Sequence, residues 1–248
     1  MKNLNYGMII AAAMLLGNPA IAQNNVTIVQ GANDNKSSQL FSTDAAAYKS
    51  ENTTYALPWE RIMEDNVLWQ KRVWRNIDTR DKENKLLGNN HDAARNSILG
   101  NVLVDGFFKG AYKAYEAKDD RFTTELTREK FIALITPGSQ AANAGFNPEQ
   151  VTKFRVKEDW LFLEKENKIV VRIIGIAPLK EVKGVDGKIT DEPVFWLFYP
   201  DIRNHLAQRK IVSKEHPDLL NWDQVFETRQ FNGTIDKVAS RTRRTAYQ

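Results

Sequence analysis

Residues 169–177 read Ile-Val-Val-Arg-Ile-Ile-Gly-Ile-Ala and form the most β-prone run of the chain. Valine and isoleucine branch at Cβ, which favours extended backbone and suits the pleated surface of a sheet. Pro178 follows and lacks a backbone donor, so we expect the strand to end there. This run therefore predicts the strongest strand of a sheet.

The residues on either side of this run continue the strand pattern. Residues 154–157 alternate apolar and charged side chains, and residues 159–163 form a second candidate strand. The Asp-Gly pair at 186–187 favours a tight turn. Residues 194–199 are apolar on both faces, so we expect neighbouring elements to cover both. Short turns between successive strands predict an antiparallel β-meander over residues 151–200.

A helix is predicted for residues 58–78, in front of the meander. Pro58 suits a first helical turn, and the acidic residues after it complement the helix dipole. At about 100° per residue, one helical face would carry Trp59, Ile62, Trp69, Val73 and Ile77. A second row beside it would carry Met63, Val67 and Trp74. So wide a stripe is covered by two elements of the chain itself, or part of it meets another molecule.

Further helices are predicted on both sides of the meander. Residues 97–135 repeat apolar side chains at helical spacing, and Thr127 is a candidate N-cap for a short helix that ends before Pro137. Two more helical pieces are predicted near residues 201–211 and 217–231. The predicted fold class is α+β, with N-terminal helices packed on an antiparallel β-meander, C-terminal helices and a flexible N-terminal arm.

The N-terminus has the pattern of a secretory signal peptide. Lys2 precedes an apolar run over residues 8–16, and Pro19 and a small-residue cleavage site at Ala20-Ile21-Ala22 follow. The run is shorter than the about 20 apolar residues of a membrane span, although a retained N-terminal anchor is the alternative. We expect cleavage after Ala22 and export to the periplasm.

Four regions are predicted: a signal peptide (1–22), a flexible arm (23–56), an α+β domain (57–232) and a basic C-terminal tail (233–248). The arm is rich in Asn, Ser, Thr and Ala and holds few large apolar residues, so it cannot bury much surface. It is either a solvated tail or an arm that orders on a neighbouring subunit. The basic tail is either a frayed end or a contact for an acidic partner or lipid head groups.

Composition excludes several classes of protein. The chain has no cysteine, which excludes disulfides and thiolate metal sites. An exported chain without disulfides fits a Gram-negative periplasm, and 42% hydrophobic residues suffice for a core. Removing Lys2 with the signal peptide lowers the formal net charge from +4 to +3. So mild a charge argues against a nucleic-acid partner.

The motifs of common catalytic sites are missing from the sequence. His91, His205 and His216 lack metal-site spacing, and no nucleophile elbow, P-loop or dinucleotide fingerprint occurs. Glu158 and Asp159 are adjacent in a predicted strand, so their side chains point to opposite faces and share no site. We therefore predict no catalytic, cofactor-binding or metal-ligating residue. The protein is expected to act by binding other proteins.

Three segments in the same order carry a family resemblance. Residues 69–82 read Trp-Gln-Lys-Arg-Val-Trp-Arg-Asn-Ile-Asp-Thr-Arg-Asp-Lys. This run resembles the W-x-K-R-V-W-R-x-I-D-x-R-x-K signature of the gliding-motility proteins GldN and PorN. Residues 157–160 with 171–178, and then residues 195–203, also look like that family. The resemblance extends over about residues 57–232.

The resemblance implies a component of the type IX secretion system of Bacteroidota. Members of this family are periplasmic and form a ring with the lipoprotein GldK or PorK at the inner face of the outer membrane. The ring is thought to meet the motor-shaft protein GldM or PorM. By resemblance we expect the same two partners, self-association in a ring and the same location for this chain, with peptidoglycan as a further candidate ligand.

A ring subunit needs two different binding faces joined head to tail, and therefore apolar surface beyond the needs of its own core. Tryptophan and arginine are enriched at binding hot spots. The seven interface candidates are Trp69, Arg72, Trp74, Arg75, Trp196, Tyr199 and Arg203. We expect Trp74→Ala to weaken assembly with the lipoprotein more than it weakens folding.

The competing hypothesis is a periplasmic module that binds peptidoglycan or another carbohydrate, built around Trp160 and Trp196. An assembly protein should co-elute with a large partner, whereas a ligand-binding module should elute as a monomer.

Overall fold

The computed structural model describes residues 26–27, 55–56, 58–87, 99–136, 146–211 and 221–242. The predicted signal peptide and nearly all of the predicted arm lie outside the described residues, as do residues 88–98, 137–145, 212–220 and 243–248. In the described part of the chain, no helix is long and apolar enough to cross a membrane.

A seven-stranded antiparallel sheet forms the centre of the fold. Its strands are β3 (Val67–Asp78), β4 (Ala114–Glu116), β5 (Lys153–Leu163), β6 (Lys168–Lys183), β7 (Ile189–Pro193), β8 (Phe195–Phe198) and β9 (Thr234–Thr242). The order across the sheet is β4-β8-β6-β5-β3-β9, and β7 pairs with the far end of β6. Two short strands, β1 (Val26–Thr27) and β2 (Glu60–Arg61), pair in parallel beside it.

The helix predicted for residues 58–78 is wrong. Residues 64–66 form one 3₁₀ turn, and β3 begins at Val67 and runs for twelve residues. β5 pairs with one edge of β3 and β9 with the other, so every part of β3 has a backbone partner. Hydrogen bonding on both sides outweighs the weak helical propensity of a segment rich in tryptophan and valine.

The meander is confirmed, with longer strands than predicted. The two strands expected between residues 153 and 163 are one strand, β5, which is interrupted by a bulge opposite β6 at Lys157. β6 continues past Pro178 to Lys183. The ladder between β5 and β6 ends at Pro178, and the ladder between β6 and β7 begins at Leu179. Pro178 is tolerated because β6 changes partner there and needs no donor.

The predicted basic tail is also corrected. Thr234–Thr242 forms β9 and pairs with β3 from Trp69 to Asn76, so most of this segment belongs to the sheet and is not a frayed end. β9 lacks a regular alternation of apolar and polar residues, and its partner lies over 150 residues earlier in the chain. Sequence spacing alone cannot indicate such a pairing.

The helices flank the sheet and are shorter than predicted. They are α1 (Leu99–Phe108), α2 (Arg128–Ile135), α3 (Tyr199–Ala207) and α4 (Trp222–Glu227). Thr127 caps α2 as predicted, because its side chain accepts a hydrogen bond from the amide of Lys130. Asn221 caps α4 in the same way through the amide of Gln224. The α+β class is therefore confirmed.

The core lies between the helices and one half of the sheet. Val194 to Tyr199 are all buried, which confirms that both faces of β8 are covered. Phe195 packs against Phe131 of α2 and against Phe146. This end of the sheet is filled by the chain itself, so open apolar surface must be sought at the other end, around β3 and β9.

Candidate protein-binding surface

One face of the sheet is left partly open where β3, β5, β6 and β9 lie side by side. Side chains that face each other across antiparallel strands project from the same face. Trp69 of β3 lies opposite Phe162 of β5, which lies opposite Ile169 of β6. In the next row, Lys71 lies opposite Trp160. The rows place these side chains on one continuous surface.

We call this surface the aromatic face. It consists of Trp69, Lys71, Trp160, Phe162, Ile169, Val171 and Val238. Val238 is exposed and the other six side chains are half-buried. Val171 of β6 lies opposite Trp160 of β5. Val238 of β9 lies opposite Val73 of β3. Tryptophan and phenylalanine at this degree of exposure leave apolar area in contact with water, which is typical of a binding surface.

The aromatic rings on this face are held in place by one another. Trp69 and Phe162 stack with centroids 5.8 Å apart and an angle of 11° between the ring planes. The ammonium group of Lys71 lies 5.6 Å from the centroid of the Trp69 ring. Because these contacts occupy ring faces, the rings have little freedom to reorient when a partner binds.

Glu158, fully buried in β5, lies next to the aromatic face. Its carboxylate accepts hydrogen bonds from Trp160 (2.9 Å), from Arg75 (3.4 Å) and from Arg229. Burial by itself would raise the pKa of Glu158, but the charges of Arg229 and Arg75 and the Trp160 N–H outweigh it and lower the pKa. Glu158 is therefore ionised at neutral pH and fixes the orientation of three side chains.

Arg72 is held in the same manner by the next carboxylate along β5. Its Nε and Nη2 each donate to a carboxylate oxygen of Asp159 at 2.8 Å, which gives a bidentate pair. Asp159 is buried, whereas the Arg72 side chain keeps 23% of its surface exposed. Arg75 also donates to the carbonyl of Gly233, just before β9. Both arginines are therefore pre-oriented and still reach solvent.

The strands around the aromatic face carry the positive charge of the molecule. β3, β5 and β9 together hold eight lysine or arginine residues and four aspartate or glutamate residues. Their net charge of +4 equals the formal net charge of the whole chain. Glu158 and Asp159 are buried and paired with arginines, and Lys157 is buried as well, so the positive charge that these strands present to solvent includes half-buried Lys71 and exposed Lys237. A partner with acidic side chains is favoured at this surface.

Trp74 does not share this exposure, because its ring is buried between β5 and β9. Its Nε1 donates to Asp120 at 3.0 Å. The ammonium groups of Lys157 and Lys237 lie 5.8 Å and 4.6 Å from its ring centroids. With 7% of its surface exposed, Trp74 contributes to the fold and offers almost no area to a partner.

Trp196, Tyr199 and Arg203 lie in the covered half of the molecule. Trp196 donates through Nε1 to the carbonyl of Ala117. The Tyr199 hydroxyl reaches Asp223 at 3.4 Å, and burial raises the pKa of Tyr199 well above its usual value. Arg203 donates to both oxygens of Asp223, at 2.9 and 3.1 Å. All three side chains are buried within the chain, remote from the aromatic face.

Trp59 completes this buried cluster. The guanidinium groups of Arg172 and Arg203 lie 4.5 and 4.4 Å from its rings, and its Nε1 donates to Glu227 at 2.7 Å. Burial lowers the pKa of Arg172 to about 9, which still leaves it charged at neutral pH. This network ties the segment that precedes β3 to the helices α3 and α4.

The seven interface candidates therefore separate into three groups. Trp69 lies on the aromatic face, and Arg75 lies beside it, next to Glu158. Arg72 projects from the opposite face of the sheet together with Asp159, and the remaining four are buried in the fold. Sequence reasoning did not single out Phe162, Ile169, Val171 or Val238. The alternation of Trp160 and Phe162 in β5 is a signal that could have indicated the first of these. The contribution of Val238 depends on the pairing of β9 with β3, which the sequence does not indicate.

One pocket in the described part of the chain is small for a ligand site. A pocket of about 240 Å³ lies between Phe146, Lys153 and Leu179, below the volume of about 300 to 1,000 Å³ that is usual for ligand sites. Lys153 is paired there with Glu181 and Asp191. The described residues contain no group of three or more His, Asp or Glu side chains that could hold a metal ion.

The fold and this surface define a class of protein: an α+β protein whose antiparallel sheet leaves one aromatic face partly open. A family model described as "Gliding motility associated protein GldN" matches residues 62–248, about three quarters of the chain. The chain belongs to the GldN family and is thus a component of the gliding-motility and type IX secretion machinery. The comparison with curated proteins found no match.

Proposed function

We propose that this chain is a non-catalytic structural subunit of the type IX secretion and gliding machinery. It forms a periplasmic ring with a GldK- or PorK-like lipoprotein at the inner face of the outer membrane and contacts a GldM- or PorM-like motor shaft. Membership of the GldN family supports the assignment of this chain to the machinery, and the partly open aromatic face supports a role in binding proteins. The half-buried stack of Trp69 on Phe162 is the observation that carries the proposal.

The arrangement of the aromatic face suits a protein partner better than a sugar. A carbohydrate-binding site needs a ring face that is free to stack on a sugar ring. The Trp69 ring is already stacked on Phe162, and the Trp160 N–H is bonded to Glu158. Trp196, the second tryptophan of the carbohydrate hypothesis, is 2% exposed. Apolar ring edges beside the fixed guanidinium group of Arg75 instead match the composition of a protein interface.

Val171→Asp tests the proposal. Val171 lies on the aromatic face, opposite Trp160, and its side chain takes part in no ion pair, so a carboxylate there would be desolvated by a partner. We expect co-purification with the lipoprotein partner to fall at least about tenfold, because one unpaired buried charge costs more than about 1.4 kcal/mol of binding.

Val185→Asp is the matched control for this test. Val185 is fully exposed in the turn between β6 and β7, and the chemical change is identical. Thermal unfolding of both variants establishes that they remain folded. Equal recovery of the partner by folded Val171→Asp and by the control would contradict the role of the aromatic face.

A further inference from the structure

The outer edge of β9 is an unpaired strand edge in the described part of the chain. β9 lies last in the sheet order, and its nine residues hydrogen-bond to β3 on one side only. Every second amide and carbonyl of β9 therefore points away from the sheet. Such a row of donors and acceptors is a template for another strand.

The edges of β4 and β7 are covered or short. At the edge of β4, the amide of Leu126 donates to Ala114 and the amide of Glu116 donates to Thr124, so the following segment covers that edge. β7 is only five residues long and ends at Pro193, which has no donor. Among the described strands, residues 168–174 of β6 also have no strand partner on the side of β8, which pairs only with Gly175 and Ile176. β9 is the longer of these two edges, with nine residues.

The part of β9 beyond its bulge is regular enough to pair. The register with β3 shifts between Trp74 and Arg75, which leaves Lys237–Thr242 in uninterrupted antiparallel pairing. Edge strands often use a lysine to block other strands. Here the Lys237 ammonium lies over the Trp74 ring and not across the open edge. In the described part of the chain, no strand pairs with the outer edge of residues 237–242.

The charge of the strands around this edge determines which kind of strand can pair with it. β3, β5 and β9 carry a net charge of +4, so two copies of β9 in contact would bring two basic sheets together. Like charges disfavour that self-pairing, whereas an acidic strand is attracted. The exposed Ile235 and Val238 of β9 project from the side of the aromatic face. An added strand with apolar residues on that side would extend the apolar surface.

We propose that β9 accepts an extended acidic segment of a partner protein as an added strand, with its apolar side chains continuing the aromatic face through Val238. This inference rests on the proposed function, because the partner is a component of the same assembly. It specifies the binding mode, namely β-strand addition, and the acidic character of the bound segment. A second copy of this chain is not the occupant of the edge.

Two synthetic eight-residue peptides test the charge selection. One alternates valine with glutamate and the other alternates valine with lysine. We expect the acidic peptide to bind at least about tenfold more tightly at low salt, with a difference that shrinks as salt screens the charges. Amide hydrogen exchange should slow at alternate residues of 237–242. Equal binding of both peptides, or protection elsewhere only, would overturn the inference.

Two proline variants test the edge itself. Val238 and Ala239 are neighbours in β9, so one amide points to β3 and the other points outward. Proline at the inward position should lower the unfolding temperature, and proline at the outward position should leave it nearly unchanged. The variant that keeps its stability is expected to lose the acidic peptide. If that variant binds the peptide as the unmodified protein does, strand addition at β9 is wrong.

The same variants separate this inference from the proposed function. If the stable proline variant still co-purifies with the lipoprotein while Val171→Asp does not, the aromatic face binds and the β9 edge does not. If neither variant alters co-purification, both proposals fail.

Discussion

At the scale of single residues, Glu158 is the side chain on which the order of the binding surface depends. It is fully buried, and its carboxylate holds Trp160, Arg75 and Arg229 in fixed positions. A buried carboxylate is stable only where its charge is paired and its oxygens are hydrogen-bonded. Here both conditions are met by side chains from β3, β5 and the segment after α4. Glu158 thus links three distant parts of the chain.

We expect Glu158→Gln to lower the free energy of unfolding by about 3 kcal/mol, because two arginines then lose their counter-charge inside the sheet. Urea denaturation at pH 7 measures this difference. Glu166→Gln is the control, since Glu166 is exposed and its hydrogen bond to Asn66 survives as an amide contact. A loss below about 0.5 kcal/mol would mean that Glu158 is not a structural anchor.

The same residue gives a pH dependence with a defined sign. The pKa of Glu158 is lower in the folded protein than the usual glutamate value of 4.5, because the charges of Arg229 and Arg75 outweigh the effect of burial. Its stabilising contribution is therefore complete above pH 4.5 and is lost as the pH falls through the lower folded-state pKa. The difference in unfolding free energy between the unmodified protein and Glu158→Gln should shrink as the pH is lowered from 6 to 3. A difference that stays constant over this range would contradict the assignment.

Trp74→Ala should destabilise the fold by about 3 to 5 kcal/mol, the usual cost of truncating a buried aromatic residue. This reverses the expectation from sequence, in which assembly suffers first. Thermal unfolding of the isolated protein measures the loss. A variant with unchanged stability and reduced partner binding would restore the original expectation.

At the scale of elements, β3 explains why a strand was predicted as a helix. Trp69, Val73 and Ile77 recur every four residues, and that spacing fits both a helical face and one face of a strand. The β-branched and aromatic residues of this segment favour a strand, but the acidic start and Pro58 suggested a helix N-terminus. The deciding factor is pairing with β5 and β9 on both sides, which lies outside any local window.

The helix and turn signals were more reliable where they rest on local chemistry. The Thr127 cap begins α2 as predicted, and Gly187 adopts a positive φ of 80° in the predicted Asp-Gly turn. Such signals depend on one or two neighbouring residues, so the sequence contains all that is needed. The pairing of β9, by contrast, depends on a partner far away in the chain.

Gly100→Ala tests the contact between α1 and Pro148, where helix propensity and steric overlap have opposite effects on stability. Gly100 is buried in α1, where alanine by itself would add about 1 kcal/mol of stability through helix propensity. A Cβ atom there would overlap the backbone oxygen of Pro148. We expect the overlap to prevail and to lower stability by about 1 to 3 kcal/mol. Denaturant unfolding decides the sign, and a stabilised variant would show that the contact with Pro148 is loose.

At the scale of the whole molecule, the sheet has a covered half and an open half. The helices and Trp196 fill one end, while β3 and β9 carry the open aromatic face and the basic charge. The sequence predicted the family, the α+β class and two of the seven interface candidates near this face, Trp69 and Arg75. It could not separate buried from open tryptophans, because that distinction depends on which strands are neighbours and not on residue type.

The most direct test of the central claim is amide hydrogen exchange on the full chain, alone and in complex with the lipoprotein of the same bacterium. We expect amide exchange to be slower in the complex than in the free protein in three strands: β3, the first half of β6, and β9. The slowed amides should lie around Trp69, Val171 and Val238. The turn that carries Val185 should exchange at the same rate in both states. Protection confined to the helices or to that turn, with the aromatic face unchanged, would contradict the account.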